Sequence, residues 1–123
     1  MGMSMKVVHL INRRVGVSLQ GLSHLNGRIH RSCCWAFSEA EARSLIGGWI
    51  FLHPIAKSEP SEFGGVVKNV EPATREGGAI KDGFAFIFEA KPEGRGQPWR
   101  GADHIMAWTS GIIEVPDIDS EQD

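Results

Sequence analysis

Ser38-Glu-Ala-Glu-Ala-Arg-Ser-Leu-Ile-Gly-Gly-Trp-Ile-Phe-Leu-His53 holds a helix, its stop signal and a strand in sixteen residues. Ser38 and Glu41 form a capping box: the hydroxyl accepts the amide hydrogen of Glu41, and the carboxylate reaches back to the amide of Ser38. A helix therefore starts at Glu39, with Ala42, Leu45 and Ile46 as its apolar face. Gly47-Gly48 supplies the left-handed residue that ends it after about two turns. Trp49-Ile-Phe-Leu-His53 is then a strongly apolar strand that stops at Pro54.

Outward from this unit the chain reads as strands and turns. Downstream, Gly64-Gly-Val-Val-Lys-Asn-Val-Glu71 is a strand with Pro72 beyond it, so residues 54–63 form a loop between two strands. Residues 74–82 are a charged loop, Gly83-Phe-Ala-Phe-Ile-Phe-Glu89 is a strand, and the three glycines and two prolines of residues 92–101 exclude a helix there. His104-Ile-Met-Ala-Trp108 reads as a strand or one helical turn, and Ser110-Gly-Ile-Ile-Glu-Val115 as the last strand. Upstream, Lys6-Val-Val-His-Leu-Ile11 is a buried strand with a single polar interruption. Residues 12–14 turn, Val15-Gly-Val-Ser-Leu19 suits a short second strand, and Gly16, Gly21 and Gly27 blur the pattern around them. Residues 28–37 alternate, with Ile29, Cys33, Trp35 and Phe37 on one face and His30, Ser32 and Cys34 on the other. The first set reads as the buried face.

About six strands, one helix and no strand–helix alternation imply an α+β fold. A small, strongly bent mixed or antiparallel sheet, or a partly open β-barrel, with the helix over one end would bury such short strands. The chain has 123 residues, 41% hydrophobic and 23% charged, which suits one globular domain, placed at residues 1–115. Asp117, Asp119, Glu121 and Asp123 make residues 116–123 an acidic tail, expected to be disordered. The whole chain carries −2; without the tail thirteen basic and eleven acidic residues remain, a body of +2 that is no polybasic stripe. The longest mainly apolar stretch, residues 47–55, is too short to span a bilayer, and Met1-Gly-Met-Ser-Met-Lys6 lacks an apolar leader core. A cytoplasmic protein without membrane partners is the expectation. Cys33 and Cys34 are adjacent, which disfavours a disulfide between them, so the expectation is free thiols with at least one in the core.

Residues 38–72, read as helix, Gly-Gly, strand 49–53, loop, then Gly64-Gly-Val-Val-Lys-Asn-Val-Glu-Pro72, resemble the middle of PUA-like barrels such as the EVE and ASCH families. The resemblance covers about a third of the chain. It implies a barrel that cups RNA or a modified nucleobase in an aromatic-lined pocket. Lys57-Ser-Glu-Pro-Ser-Glu-Phe63 is also similar to an EVE motif, but it lies mid-chain and leads to Gly64-Gly65 instead of an aspartate-bearing helix. No site residue is carried across by it.

The residues themselves suggest a ligand site in the glycine- and proline-rich loop. Trp99 and Arg100, followed by Asp103, His104 and Trp108, put a stacking face, a planar cation, a carboxylate and an imidazole in one segment. His53, at a strand end, with Lys57, Ser58 and Ser61 in the following loop, would stand across the mouth. The expected site is thus Trp99, Arg100, Asp103, His104, His53 and Lys57. The competing structural reading makes Trp99 a cover over an apolar rim, Arg100 and Asp103 a surface ion pair, and His53 a satisfied buried group. Histidines 9, 24, 30, 53 and 104 show no metal-ligand spacing, and neither a phosphate loop nor a nucleophile elbow is present, so no metal or cofactor is expected. The leading expectation is a non-catalytic module binding RNA, DNA or a nucleotide-like molecule. The alternatives are a small enzyme on a nucleotide-like metabolite with His53 or His104 as acid–base, and a protein–protein adaptor, phage- or defence-related, anchored by Trp99.

Overall fold

The computed structural model describes residues 4–11, 14–15, 18–19, 22–35, 37–54, 60–73, 83–99 and 109–116. Along the chain these form β1 (Ser4–Ile11), β2 (Arg14–Val15), β3 (Ser18–Leu19), β4 (Leu22–Asn26), β5 (Ile29–Trp35), α1 (Glu39–Ser44), β6 (Trp49–His53), β7 (Phe63–Ala73), β8 (Gly83–Ala90), a 3-10 turn at Pro92–Gly94, and β9 (Thr109–Pro116). Seven strands make one mixed sheet in the order β4-β5-β8-β7-β6-β1-β9, and β2 pairs with β3 in a separate small ladder. No ladder joins β4 to β9 among the described residues, so the sheet is open. The fold is mostly β with one short helix among the described residues. Among the described residues no helix is long and apolar enough to cross a membrane.

β1 and β6 run parallel, with Val7 opposite Trp49 and Ile11 opposite His53, while every other pairing in the large sheet is antiparallel. Side chains alternate across a strand, and here both faces are covered. Val8, Leu10, Ile50 and Leu52 enter the larger core with Phe37, Ala42, Leu45, Val67, Val70, Phe84, Phe86 and Phe88. Val7, Trp49 and Phe51 face the other way and join Val115 in a smaller core. All five residues of β6 are buried as a result.

The helix begins as its capping box dictates: Glu41 N donates to Ser38 Oγ at 3.1 Å and Ser38 N donates to Glu41 Oε1 at 3.0 Å. Gly47 takes φ +89° and ends the turn that follows. Gly47 N donates to Val67 O and Val67 N to Gly48 O, tying that turn to β7. Ala42 and Leu45 pack into the larger core, but Ile46, expected on the same face, is 42% exposed. The helix closes at Ser44, so Ile46 lies on the turn, past the point where helical periodicity governs direction.

β5 corrects the sequence reading in two ways. Ser32 and Cys34 are buried and Cys33 is half-buried, the reverse of the expected parity, whereas Trp35 and Phe37 do pack against the larger core. Opposite β8 the pairing advances from Ser32↔Phe86 to Trp35↔Phe84, three residues against two, which is a β-bulge that reverses the phase of the strand. Within the bulge Cys33 and Cys34 are joined to each other by a disulfide across a cis peptide bond, where free thiols were expected. The two do not point to opposite faces as neighbours in a regular strand would.

Two further strands differ from expectation. β7 continues through Pro72 because β6 pairs only as far as Val66; beyond it only β8 among the described strands pairs with β7, and a proline is tolerated on the other side. β4, which the glycine-punctuated region hid, forms a hairpin with β5 around Gly27 at φ +51°. Four of its five residues are exposed, so it carries no apolar alternation to read. β9 ends at Pro116, while the loop 74–82, the segment 104–108 and the rest of the acidic tail lie outside the described residues.

Leu45 is fully buried and Ile46 exposed although they are neighbours. Leu45→Ala should therefore cost about 2–5 kcal/mol and Ile46→Ala less than about 0.5 kcal/mol, read as urea midpoints at an unchanged slope.

Candidate functional site

His9 interrupts an apolar strand and His53 ends another, and the parallel register brings them together. His9 stands opposite Phe51, and His53 is two residues further along β6 on the same face. His9 Nδ1 and His53 Nε2 lie 2.8 Å apart, a hydrogen bond between two imidazoles that are both fully buried. One ring donates and the other accepts, so the bond requires at least one of them to keep a lone pair.

Aromatic rings continue the row. Trp49 stacks on Phe51 at 5.8 Å and Phe51 on His9 at 5.0 Å, between ring centroids. Trp99 closes the far end, 5.3 Å from His9 and edge-to-face with His53 at 5.0 Å. Trp99 keeps part of its surface in water. It thus touches both imidazoles and remains partly exposed.

Trp99 is delivered there by a clasp at Ser61. The buried Ser61 hydroxyl donates to Gly94 O at 2.6 Å and accepts from Gln97 N at 3.0 Å. Its backbone adds two bonds, Ser61 N to Gln97 O and Gly96 N to Ser61 O. Gly94 lies against Gly64 so closely that a Cβ there would overlap the Gly64 backbone, and Lys91 N donates to Gly64 O. The strand start of β7 and the segment after β8 are therefore one fixed unit. Pro98, between Gln97 and Trp99, disfavours helical backbone at Gln97.

Of the residues expected from sequence, Trp99 and His53 come together. His53 is enclosed and bonded to His9, which corrects the expectation of an imidazole presented at a mouth. Lys57, Arg100, Asp103 and His104 lie outside the described residues, as do Ser58 and Trp108. Sequence reasoning missed His9, Phe51 and Gln97 as site residues. His9 had left a signal as the one polar residue within the apolar run 7–11; Phe51 and Gln97 had left none, since only the parallel register and the clasp place them. Among the described residues no group of three or more His, Cys, Asp or Glu could hold a metal ion.

The buried polar side chains are unevenly spread. They are His9, Ser32, His53, Ser61 and Thr109 among the described residues. Ser32 accepts from Trp35 Nε1 inside β5. His9, His53 and Ser61 sit at the carboxyl end of the β1–β6 pair, where Glu62, next to Ser61, donates its amide to Leu52 O, whereas Thr109 is opposite Leu10 on the larger-core face.

Comparison with protein-family models, with curated proteins and with solved structures gave no match. The site therefore rests on its own geometry.

Ser61→Ala would leave a buried carbonyl and a part-buried amide without their partner, a loss of about 1–3 kcal/mol in stability. Tryptophan emission should shift to the red as Trp99 gains water, and the shift should vanish in the Ser61→Ala, Trp99→Phe double variant.

Proposed function

We propose that the chain is a binding module for a nucleic acid or a nucleotide-like ligand, held by stacking on the exposed part of Trp99. The observation that carries this reading is the bonded pair of buried imidazoles against Trp99 at the carboxyl ends of β1 and β6, with the Ser61 clasp beside it. A protein core excludes polar groups unless they are paired, and the bonded imidazoles with the Ser61 clasp support a built site over an apolar rim. The carboxyl ends of parallel strands are also where open sheets with such strands place their ligands.

Trp99 suits the role physically. Its ring is backed by two imidazoles and anchored through the Ser61 clasp, so a base can stack on it with little ordering cost. Arg100 follows it directly in sequence and offers a forked donor for phosphate or base oxygens. With a net charge of +2 outside the acidic tail, the reading requires few phosphate contacts and a shallow dependence on salt. A PUA-like kinship of residues 38–72 belongs to the same proposal. It is supported by the order α1, Gly47-Gly48, β6, loop, β7 and by the glycine pair that opens β7.

One observation favours a second reading, an acid–base enzyme on a nucleotide-like metabolite. The His9–His53 bond links two imidazoles through which a proton can pass from one ring to the other. In that reading His53→Gln abolishes turnover.

The test is tryptophan fluorescence during titration with short single-stranded RNA, short single-stranded DNA and mononucleotides at two salt concentrations. Saturable quenching is expected, and Trp99→Ala should weaken binding about 5- to 150-fold, the loss of about 1–3 kcal/mol of base stacking. Absence of quenching by every probe at low salt would remove the reading.

A further inference from the structure

A second pair of histidines lies elsewhere in the sheet, on the β4–β5 hairpin, and takes no part in the Trp99 site. His24 and His30 are direct cross-strand partners, with ring centroids 5.0 Å apart and planes inclined by 48°. His24 is exposed and His30 half-buried.

Each ring has one nitrogen committed to the turn. His24 Nε2 bonds Gly27 O at 2.9 Å, and His30 Nδ1 bonds Arg28 O at 3.1 Å. A carbonyl oxygen can only accept, so those two nitrogens carry the hydrogens. In the neutral rings the lone pairs are then on His24 Nδ1 and His30 Nε2. Neither of these makes a further hydrogen bond to a described residue. His30 is also held in place as a ring, stacked on Phe88 at 5.8 Å and edge-on to Phe63 at 4.8 Å.

A metal-ligating histidine typically shows this arrangement, with one ring N–H bonded to a carbonyl so that the tautomer and orientation of the other nitrogen are fixed. The separation fits as well. With metal–nitrogen bonds of about 2.0–2.1 Å, two imidazoles at a tetrahedral angle have centroids about 5 Å apart. The geometry points to a binding site for a borderline divalent ion, Zn²⁺ or Cu²⁺, with His24 Nδ1 and His30 Nε2 as its two protein ligands. Imidazole nitrogen selects such ions over Mg²⁺ and Ca²⁺, which prefer oxygen. Among the described residues no third His, Cys, Asp or Glu joins the pair. The remaining positions fall to water or to a donor atom of a bound molecule, which makes the site open and exchangeable.

The site is independent of the proposed base-binding function. Its two residues are on β4 and β5, and His30 packs on Phe88 of the larger core, on the face opposite His9 and His53.

Isothermal titration of the untagged full chain with ZnCl₂, and separately with CuCl₂, tests the proposal. One ion per chain is expected, and His24→Gln and His30→Gln should each weaken binding about ten-fold or more. His24 is exposed, so His24→Gln should keep the wild-type urea midpoint and its loss of binding cannot be a folding defect. In proton spectra, substoichiometric Cu²⁺ should broaden the ring signals of His24 and His30 before those of the other histidines. Unchanged binding in both glutamine variants, or no saturable binding of either ion, would overturn the assignment.

Discussion

The parallel pairing of β1 with β6 is the constraint on which the remaining structure depends. Parallel neighbours cannot be joined by a tight turn, so residues 12–48 must carry the chain from the end of one to the start of the other. Into that crossover the sequence fits the β4–β5 hairpin and α1. The strands of a parallel pair also need cover on both sides. On one side α1 closes the larger core through Ala42 and Leu45; on the other, Val115 of β9 and the aromatic row from Trp49 to Trp99 do the same work.

That second side is where polarity enters. Two buried imidazoles in an apolar row would be costly alone, and each supplies the other with a partner. Ser61 repeats the solution with backbone groups, and in doing so fixes the approach of residues 94–99. Stability and site are not separate layers here. The same hydrogen bonds that make burial of polar groups tolerable also determine where Trp99 stands.

Much of the framework is legible in the residues. The capping box, the glycine stop and the apolar run 49–53 give α1 and β6 almost to the residue, because these signals are local and each has its own backbone chemistry. β8 and β9 are legible for the same reason. β4 is not, since an exposed edge strand has no apolar face to betray it. The site divides in the same way. Trp99 and His53 stand out by composition and position, whereas the partnership of His53 with His9 spans 44 residues and exists only through strand register. No spacing rule along the chain carries that information. The Cys33–Cys34 pair misled for a related reason: alternation assumes an unbroken ladder, and the bulge breaks it.

The bulge has a consequence for how this chain can change over time. β5 meets the larger core with even-numbered residues before it, His30 and Ser32, and with odd-numbered ones after it, Trp35 and Phe37. The bulge absorbs the extra residue, so both halves stay in phase with the same core. Loss of one residue at this point would restore regular pairing with both halves still facing that core, whereas loss of two would turn one half inside out. Lineages of this fold should therefore shed the extra residue singly and not in pairs.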